Sequence, residues 1–165
     1  MKRIKIILAA IALLGANATV LAQEAETQQS AATAEKNWTV TSQFDGLTFD
    51  LPAGLKTERG TSYTALSPDG TFGVTMTRVN HPSTKKIAFK LCERLADSMG
   101  MPRQLVKKMN YGKAKGAQAQ GLIDGKNVTC IVLALDDYQE QIVVMADPSR
   151  ADWMRLFLNT LRKSN

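Results

Sequence analysis

The stretch NVTCIVLALDDYQEQIVVMA, residues 127–146, decides the fold of this 165-residue chain. Its first half has apolar residues at odd and even positions alike, so both sides of an extended strand would be apolar. The last five residues, 142–146, are continuously apolar, and Asp136-Asp137 between the two halves predicts a turn. A hairpin with two apolar faces is typical of strands that other layers cover on both sides.

Two helical patterns flank this hairpin and would supply the covering layers. Residues 83–99 begin at a Ser/Thr capping position and end before Gly100 and Pro102, which are start and stop signals of a helix. A second helix is predicted to begin near Asp147-Pro148-Ser149, because proline suits a first helical turn. The predicted buried stripes are Ile87, Ala88, Leu91, Cys92, Leu95, Ala96 and Met99 in the first helix and Trp153, Leu156, Phe157, Thr160 and Leu161 in the second.

Three Asp-Gly pairs, at 45–46, 69–70 and 124–125, favour type I′ hairpin turns. They lie between further strand-like runs at residues 38–44 and 47–51, 61–67 and 71–79, and 114–123 and 126–135. Together these runs predict an antiparallel meander that one helix interrupts. The predicted class is therefore α+β, a mainly antiparallel sheet with one helix on each face, or α/β/α sandwich.

The order of these elements resembles the Mog1/PsbP-like fold, a small α/β/α sandwich. The relevant residues are FDGLTFDLP at 44–52, the turn at Pro68-Asp69-Gly70, the helix at 83–99, the meander and the closing helix. The resemblance covers nearly all of residues 37–165 and rests on element order. It implies a non-catalytic adaptor or accessory factor, and it assigns a role to no individual residue.

The first 22 residues have the features of a secretory signal peptide. Three basic residues precede an apolar run, residues 6–14, that is too short to span a bilayer. Val20 and Ala22 occupy the positions where signal peptidase accepts small residues. We expect cleavage after Ala22, and hence a secreted or periplasmic protein without a membrane span. The alternative is an uncleaved N-terminal anchor.

Residues 23–36, QEAETQQSAATAEK, contain no large apolar side chain and predict a flexible linker before a single globular domain at residues 37–165. The whole chain has 21 basic and 15 acidic residues, a net charge of +6. The predicted signal holds three of those bases and none of the acids, which leaves +3 for the remainder. This small excess of positive charge gives little support for nucleic-acid binding. Separately, we expect the protein to be a monomer or a weak oligomer.

Few residues could carry redox or metal chemistry. Cys92 and Cys130, the two cysteines, could form a disulfide that clips the first helix to the sheet of an exported protein. The alternative is two buried thiols that pack as small hydrophobic side chains. Two cysteines and the single histidine, His81, are too few for a Cys/His zinc site, so no metal is expected. Residues 112–116 lack the spacing of a phosphate-binding loop, and no cofactor is expected.

One stretch, residues 101–117, contains five basic residues and no acid. It could bind an unknown protein or another anionic component of the cell envelope. The alternative is a solvated strand edge on which lysines discourage pairing with another sheet. The basic residues of the stretch are Arg103, Lys107, Lys108, Lys113 and Lys115.

The predicted function is that of a secreted or periplasmic, non-catalytic binding or accessory protein. The reason is that no motif brings together a nucleophile, a base and an oxyanion donor. One alternative is a small hydrolase whose site is assembled around His81 beside an aspartate or a serine. Another is a carrier of a small apolar ligand, in a cavity lined by Met76, Leu91 and Met145.

Overall fold

The structure of the protein, a computed structural model, describes residues 39–164. The predicted signal peptide, residues 1–22, and the predicted linker, residues 23–36, lie outside the described residues. In chain order the described residues form β1 (Thr39–Phe44), β2 (Leu47–Pro52), β3 (Lys56–Arg59), β4 (Ser62–Leu66), β5 (Phe72–Val79), α1 (Lys85–Ser98), β6 (Lys107–Tyr111), β7 (Ala114–Ile123), β8 (Lys126–Ala134), β9 (Gln139–Ala146), α2 (Ala151–Thr160) and β10 (Arg162–Lys163). Neither of these helices is long and apolar enough to cross a bilayer.

Seven strands form one antiparallel sheet in the order β3-β4-β5-β9-β8-β7-β6. The hairpin of β8 and β9 lies inside this sheet, with Ile131 opposite Ile142. All residues from Val128 to Leu133 are buried. Alternate residues of β8 belong to two separate cores, one on each side of the sheet. The prediction that this hairpin is covered on both sides is confirmed.

Helix α1 covers one side of β7 and β8. The hydroxyl of Thr84 caps the start of α1 by accepting a hydrogen bond from the Ile87 N–H at 3.3 Å. The chain turns away after the end of the helix at Gly100, whose φ is +81°. Ile87 was predicted to be buried, but it is exposed because it lies about 140° around the helix from Cys92, which is near the centre of the buried stripe. The residues that α1 buries against the sheet are Ala88, Cys92, Leu95 and Ala96.

The other side of the sheet is covered by α2 together with a small second sheet, β1-β2-β10. Phe49 of β2 joins these layers, since its ring centroid lies 5.4 Å from that of Tyr63 in β4 and 5.3 Å from that of Phe157 in α2. The predicted α+β class with helices on opposite faces is thus present. The first hairpin, predicted as part of the same meander, forms a separate sheet. A ten-residue α2 is about 15 Å long and cannot cover seven strands that span about 29 Å.

The turns and edges show where local sequence signals were incomplete. The pairs at 45–46 and 124–125 have the positive φ at both residues that a type I′ turn requires. At the remaining pair, 69–70, Gly70 has a positive φ and Asp69 does not. The Asp69 carboxylate instead accepts hydrogen bonds from the Thr71 N–H and hydroxyl. Strands β3 and β10 were not predicted, because their exposed polar residues give no apolar alternation. Strand β6 is an exposed edge strand, as the alternative interpretation of the basic stretch predicted.

Gly116 of β7 lies where a side chain has no room. A Cβ there would overlap the carbonyl oxygen of Val132 and lie 2.9 Å from Cδ2 of Leu133. We expect Gly116→Ala to lower the free energy of unfolding by about 2–3 kcal/mol, because relief requires a backbone shift within the β7–β8 pair. Denaturant unfolding measures this loss.

Gly121→Ala in the same strand is the matched control. Its Cβ would meet the flexible side chain of Met101 at 2.9 Å, which can move aside, so we expect a loss below about 1 kcal/mol. Equal losses in the two variants would show that the Val132 carbonyl is not a rigid obstacle.

Candidate binding surface

Strand β6 forms an outer edge of the seven-stranded sheet and carries the centre of the predicted basic stretch. Among the described strands it pairs with β7 alone, so one row of its backbone donors and acceptors faces outward. The first four residues of β6 are exposed. Tyr111, the fifth, is buried, and its hydroxyl donates a hydrogen bond to Oε1 of Gln118 in β7. This contact fixes the end of β6 to the sheet.

Alternation along the strand separates the lysines of the stretch. Lys108 lies on the α1 side of the sheet, where its Nζ is 6.0 Å from the ring centroid of Phe89. Lys115 of β7 shares that side, whereas Lys107 lies on the α2 side. Lys113 lies in the turn between β6 and β7. The structure therefore brings two of these four lysines together on one face.

Arg103 precedes β6 and connects it to α1. Its Nη2 lies 2.7 Å from Oδ2 of Asp97 in the helix. This hydrogen bond holds the pKa of the Asp97 carboxyl below its usual value and raises the pKa of Arg103. Both side chains are exposed, so the pair contributes little to stability. Its effect is to keep the Arg103 charge against α1.

The polar side of α1 adds positive charge that the sequence analysis did not connect with the stretch. The helix exposes four bases and has two acids, Glu93 and Asp97, the second of which is paired with Arg103. The signal was present in the composition of the helix, but only the fold shows that α1 covers the side of the sheet on which Lys108 lies, where Lys108 meets Phe89 of the helix. We call the resulting surface the basic face; it consists of Lys85, Lys86, Lys90, Arg94, Arg103, Lys108 and Lys115.

His81 lies apart from this face, in the exposed segment between β5 and α1. Its Nδ1 is 2.8 Å from the carbonyl oxygen of the adjacent Pro82. Within residues 39–164 it makes no hydrogen bond or ion pair with an acidic or serine side chain, so the arrangement that the hydrolase alternative requires is not assembled there. The same residues contain no group of three or more His, Cys, Asp or Glu placed to hold a metal ion.

Cys92 of α1 and Cys130 of β8 meet in the interface between the helix and the sheet. In this structure both are buried and reduced, and the Cys92 thiol donates a hydrogen bond to the Cys130 carbonyl oxygen at 3.7 Å. Burial raises the pKa of each thiol to about 12, so the reactive thiolate is scarce at neutral pH. The disulfide between them stays a prediction.

The cavity predicted for an apolar ligand does not form from its predicted residues. Met76 belongs to the core on the α2 side of the sheet, whereas Leu91 and Met145 pack on the α1 side. The placement was wrong because the sheet itself separates Met76 from the other two side chains. A cavity does occur elsewhere, beside β1 and β3.

Comparisons with known proteins show a likeness of fold. No protein-family model matches the chain, and no curated protein matches it. A crystal structure from Bacteroides thetaiotaomicron is 13% identical with a TM-score of 0.46; the match covers 73% of this chain and 46% of that one, so the chain spans less than half of that chain's length. The solution structure of the cyanobacterial PsbP protein CyanoP from Synechocystis is 9% identical with a TM-score of 0.49, covering 77% of this chain and 91% of that one. The structures to which this chain is similar thus include a PsbP protein, as the resemblance in element order indicated, and the likeness concerns the fold alone.

Proposed function

We propose that the protein is an exported, non-catalytic binding or accessory protein that docks an acidic, extended segment of another protein along β6. The observation that carries the proposal is the meeting of an unpaired sheet edge with the basic face. The edge strand offers backbone hydrogen bonds to a strand added from another protein. The basic face favours an added strand that carries negative charge.

Charge complementarity supports an anionic partner. The basic face contains seven cations, and the acids on α1 are Glu93 and Asp97, of which Asp97 is already engaged by Arg103. Lys107 adds a cation on the α2 side of β6. An added strand would therefore meet a positive charge with either row of its side chains. Such attraction speeds encounter and rejects partners of like charge.

The same lysines argue against β6 as a contact between two copies of this chain. Edge-to-edge pairing of two copies would bring Lys107 and Lys108 of one near their equivalents in the other, and like charges opposed across strands destabilise the pair. Exposed apolar side chains at the same edge, Leu105 and Met109, give an incoming strand limited packing surface. The features together favour an acidic strand with some apolar residues.

The proposal predicts that an alternating glutamate–valine peptide binds the protein along β6. We expect the peptide to shift the amide NMR signals of residues 105–111, and binding to weaken as salt rises. In the double variant Lys107→Glu/Lys108→Glu, affinity for the peptide should fall at least tenfold, since both rows of its side chains would then face repulsion.

The matched control is Lys56→Glu/Arg155→Glu, which makes the same change of charge at exposed positions on β3 and α2, away from β6. Its peptide affinity should change less than threefold. Phosphatidylglycerol vesicles test the other anionic partner: binding to the vesicles without binding to the peptide would replace the proposal with a lipid surface. Shifts that avoid β6, or a control variant that loses as much affinity as the β6 variant, would also overturn it.

A further inference from the structure

A cavity of about 270 Å³ lies at the opposite edge of the seven-stranded sheet from β6. Its walls come from two edge strands that belong to different sheets, β1 of the small sheet and β3 of the large one, together with β2, β4 and the connection between β2 and β3. Its volume is just below the range of about 300–1,000 Å³ found for small-molecule sites. The edges of the two sheets thus border a half-open space that neither sheet would form alone.

The lining combines an apolar wall, two hydroxyl side chains and one cation. Val40, Leu51, Pro52 and Leu55 supply the apolar surface, and Ser42 and Thr57 supply the hydroxyls. Arg59, from exposed β3, supplies the charge, and no carboxylate among the described residues forms an ion pair with it. A site with apolar walls and a single cation fits a small organic anion with an apolar body.

Two contacts hold the Arg59 guanidinium at the cavity. Its Nη2 donates a hydrogen bond to the carbonyl oxygen of Gln43 in β1, and its Cζ lies 6.0 Å from the ring centroid of Tyr63. The first contact bridges the two edge strands across the opening. The second places the charge beside an aromatic wall. Because a guanidinium has five N–H donors, the bond to Gln43 leaves donors for a carboxylate.

Tyr63 gives a second polar signal in the same wall. The residue is 3% exposed, and its ring is packed against Phe44 and Phe49 at centroid distances of 5.7 and 5.4 Å. Its hydroxyl is buried and has no hydrogen-bond partner among the described residues. An unpaired buried hydroxyl costs free energy. Because this hydroxyl is closed to solvent, a ligand oxygen recovers that cost only after neighbouring side chains of the lining move aside. Arg59 and Tyr63 together therefore point to an acceptor that carries negative charge.

We infer that this cavity binds a small organic carboxylate whose apolar body lies against Val40, Leu51 and Leu55 and whose carboxylate pairs with Arg59 and accepts a hydrogen bond from Tyr63. The inference goes beyond the docking function, because the cavity and β6 lie at opposite edges of the sheet. Each can fail without the other.

The test titrates three probes into the full chain and follows amide NMR signals. The probes are 4-phenylbutyrate, the neutral 4-phenylbutanol with the same body, and acetate with the same charged group and almost no body. We expect 4-phenylbutyrate to bind at least tenfold more tightly than either of the others, with shifts at residues 40–63. Arg59→Gln should remove its advantage over 4-phenylbutanol. Tyr63→Phe should weaken 4-phenylbutyrate binding several-fold without lowering the thermal midpoint of the free chain, because it removes an unpaired buried hydroxyl.

Arg155→Gln, at an exposed position on α2 outside the cavity lining, is the matched control and should bind 4-phenylbutyrate as the unmodified chain does. Equal affinity for the acid and the alcohol would overturn the carboxylate assignment. An unchanged preference in Arg59→Gln would do the same. Shifts outside residues 40–63, or no binding of 4-phenylbutyrate at millimolar concentration, would show that the cavity is not a site for this class of ligand.

Discussion

Replacing Phe49 with alanine is expected to lower the free energy of unfolding by about 3–5 kcal/mol, a large share of the about 5–15 kcal/mol that typically stabilises a domain. Phe49 is fully buried and contacts Tyr63 of the large sheet and Phe157 of α2 with edge-to-face geometry. The loss combines removed apolar contact, two aromatic pairs and the cavity left behind. Denaturant unfolding with a shared slope measures it.

Phe89→Ala provides the comparison on the other side of the sheet. Phe89 of α1 is half-buried, so its removal exposes less new surface and leaves no closed cavity. We expect a loss below about 2 kcal/mol. If Phe89→Ala were as costly as Phe49→Ala, Phe49 would not be the residue that joins the small sheet, the large sheet and α2.

Glu140→Gln is expected to change how stability depends on pH. The Glu140 side chain is fully buried in β9, and both of its carboxyl oxygens lack a hydrogen-bond partner among the described residues. Burial is the main cause that raises the pKa of this carboxyl to about 8; the negative charge of Asp45 contributes to the rise, and Arg78 opposes it. The folded chain therefore keeps a proton on Glu140 at neutral pH, which the unfolded chain has released.

The sign follows from proton linkage. Between about pH 4.5 and pH 8 the native state holds one more proton than the unfolded state, so Glu140 makes stability fall as pH rises, by about 1.4 kcal/mol per unit and at most about 5 kcal/mol in total. Below this window the contribution vanishes, and above it the loss is complete. In Glu140→Gln this slope should disappear. The free energy of unfolding of the variant, relative to that of the unmodified chain, should therefore increase from pH 5 to pH 8. Chemical unfolding at half-unit pH steps measures the difference.

Glu58→Gln, on exposed β3, is the control that removes a carboxylate without removing a buried one. Its free energy of unfolding should depend on pH in the same way as that of the unmodified chain across this range. A difference between Glu140→Gln and the unmodified chain that stays constant with pH would mean that Glu140 is ionised in the folded protein at pH 7.

Much of the fold could be predicted because residues 127–146 are apolar on both faces and only a doubly covered strand pair buries them. The elements that cover the α2 side of the sheet could not be predicted, because they depend on how distant segments pack together. The short helix α2 leaves part of the sheet uncovered, and Leu47 and Phe49 of β2 fill that space. The burial of Glu140 was missed for a similar reason. The Tyr138 hydroxyl donates a hydrogen bond to the Asp45 carbonyl, which brings the β1–β2 turn to the start of β9 across 93 residues of sequence.

The candidate site was predictable only as a local stretch of charge. Lys107 and Lys108 were identified from the absence of acids around them, but alternation along the edge strand β6 places them on opposite sides of the sheet. The helical spacing of the sequence predicted that the bases of α1 are exposed. Nothing in the sequence indicated that Phe89 of α1 would contact Lys108 of β6. The cavity at β1 and β3 had no sequence signal, because its walls belong to strands that pair in different sheets.

The position of the two cysteines beneath α1 makes them internal reporters of how that helix detaches. A modifying reagent can reach Cys92 or Cys130 only after the contact between helix and sheet has opened, and a thiol that is protonated while buried reacts only then. The rate of alkylation of the reduced chain therefore reads the free energy of partial unfolding at that layer, without a label or a substitution. The small sheet on the far side can be followed separately, so the cooperativity between the two cores becomes measurable.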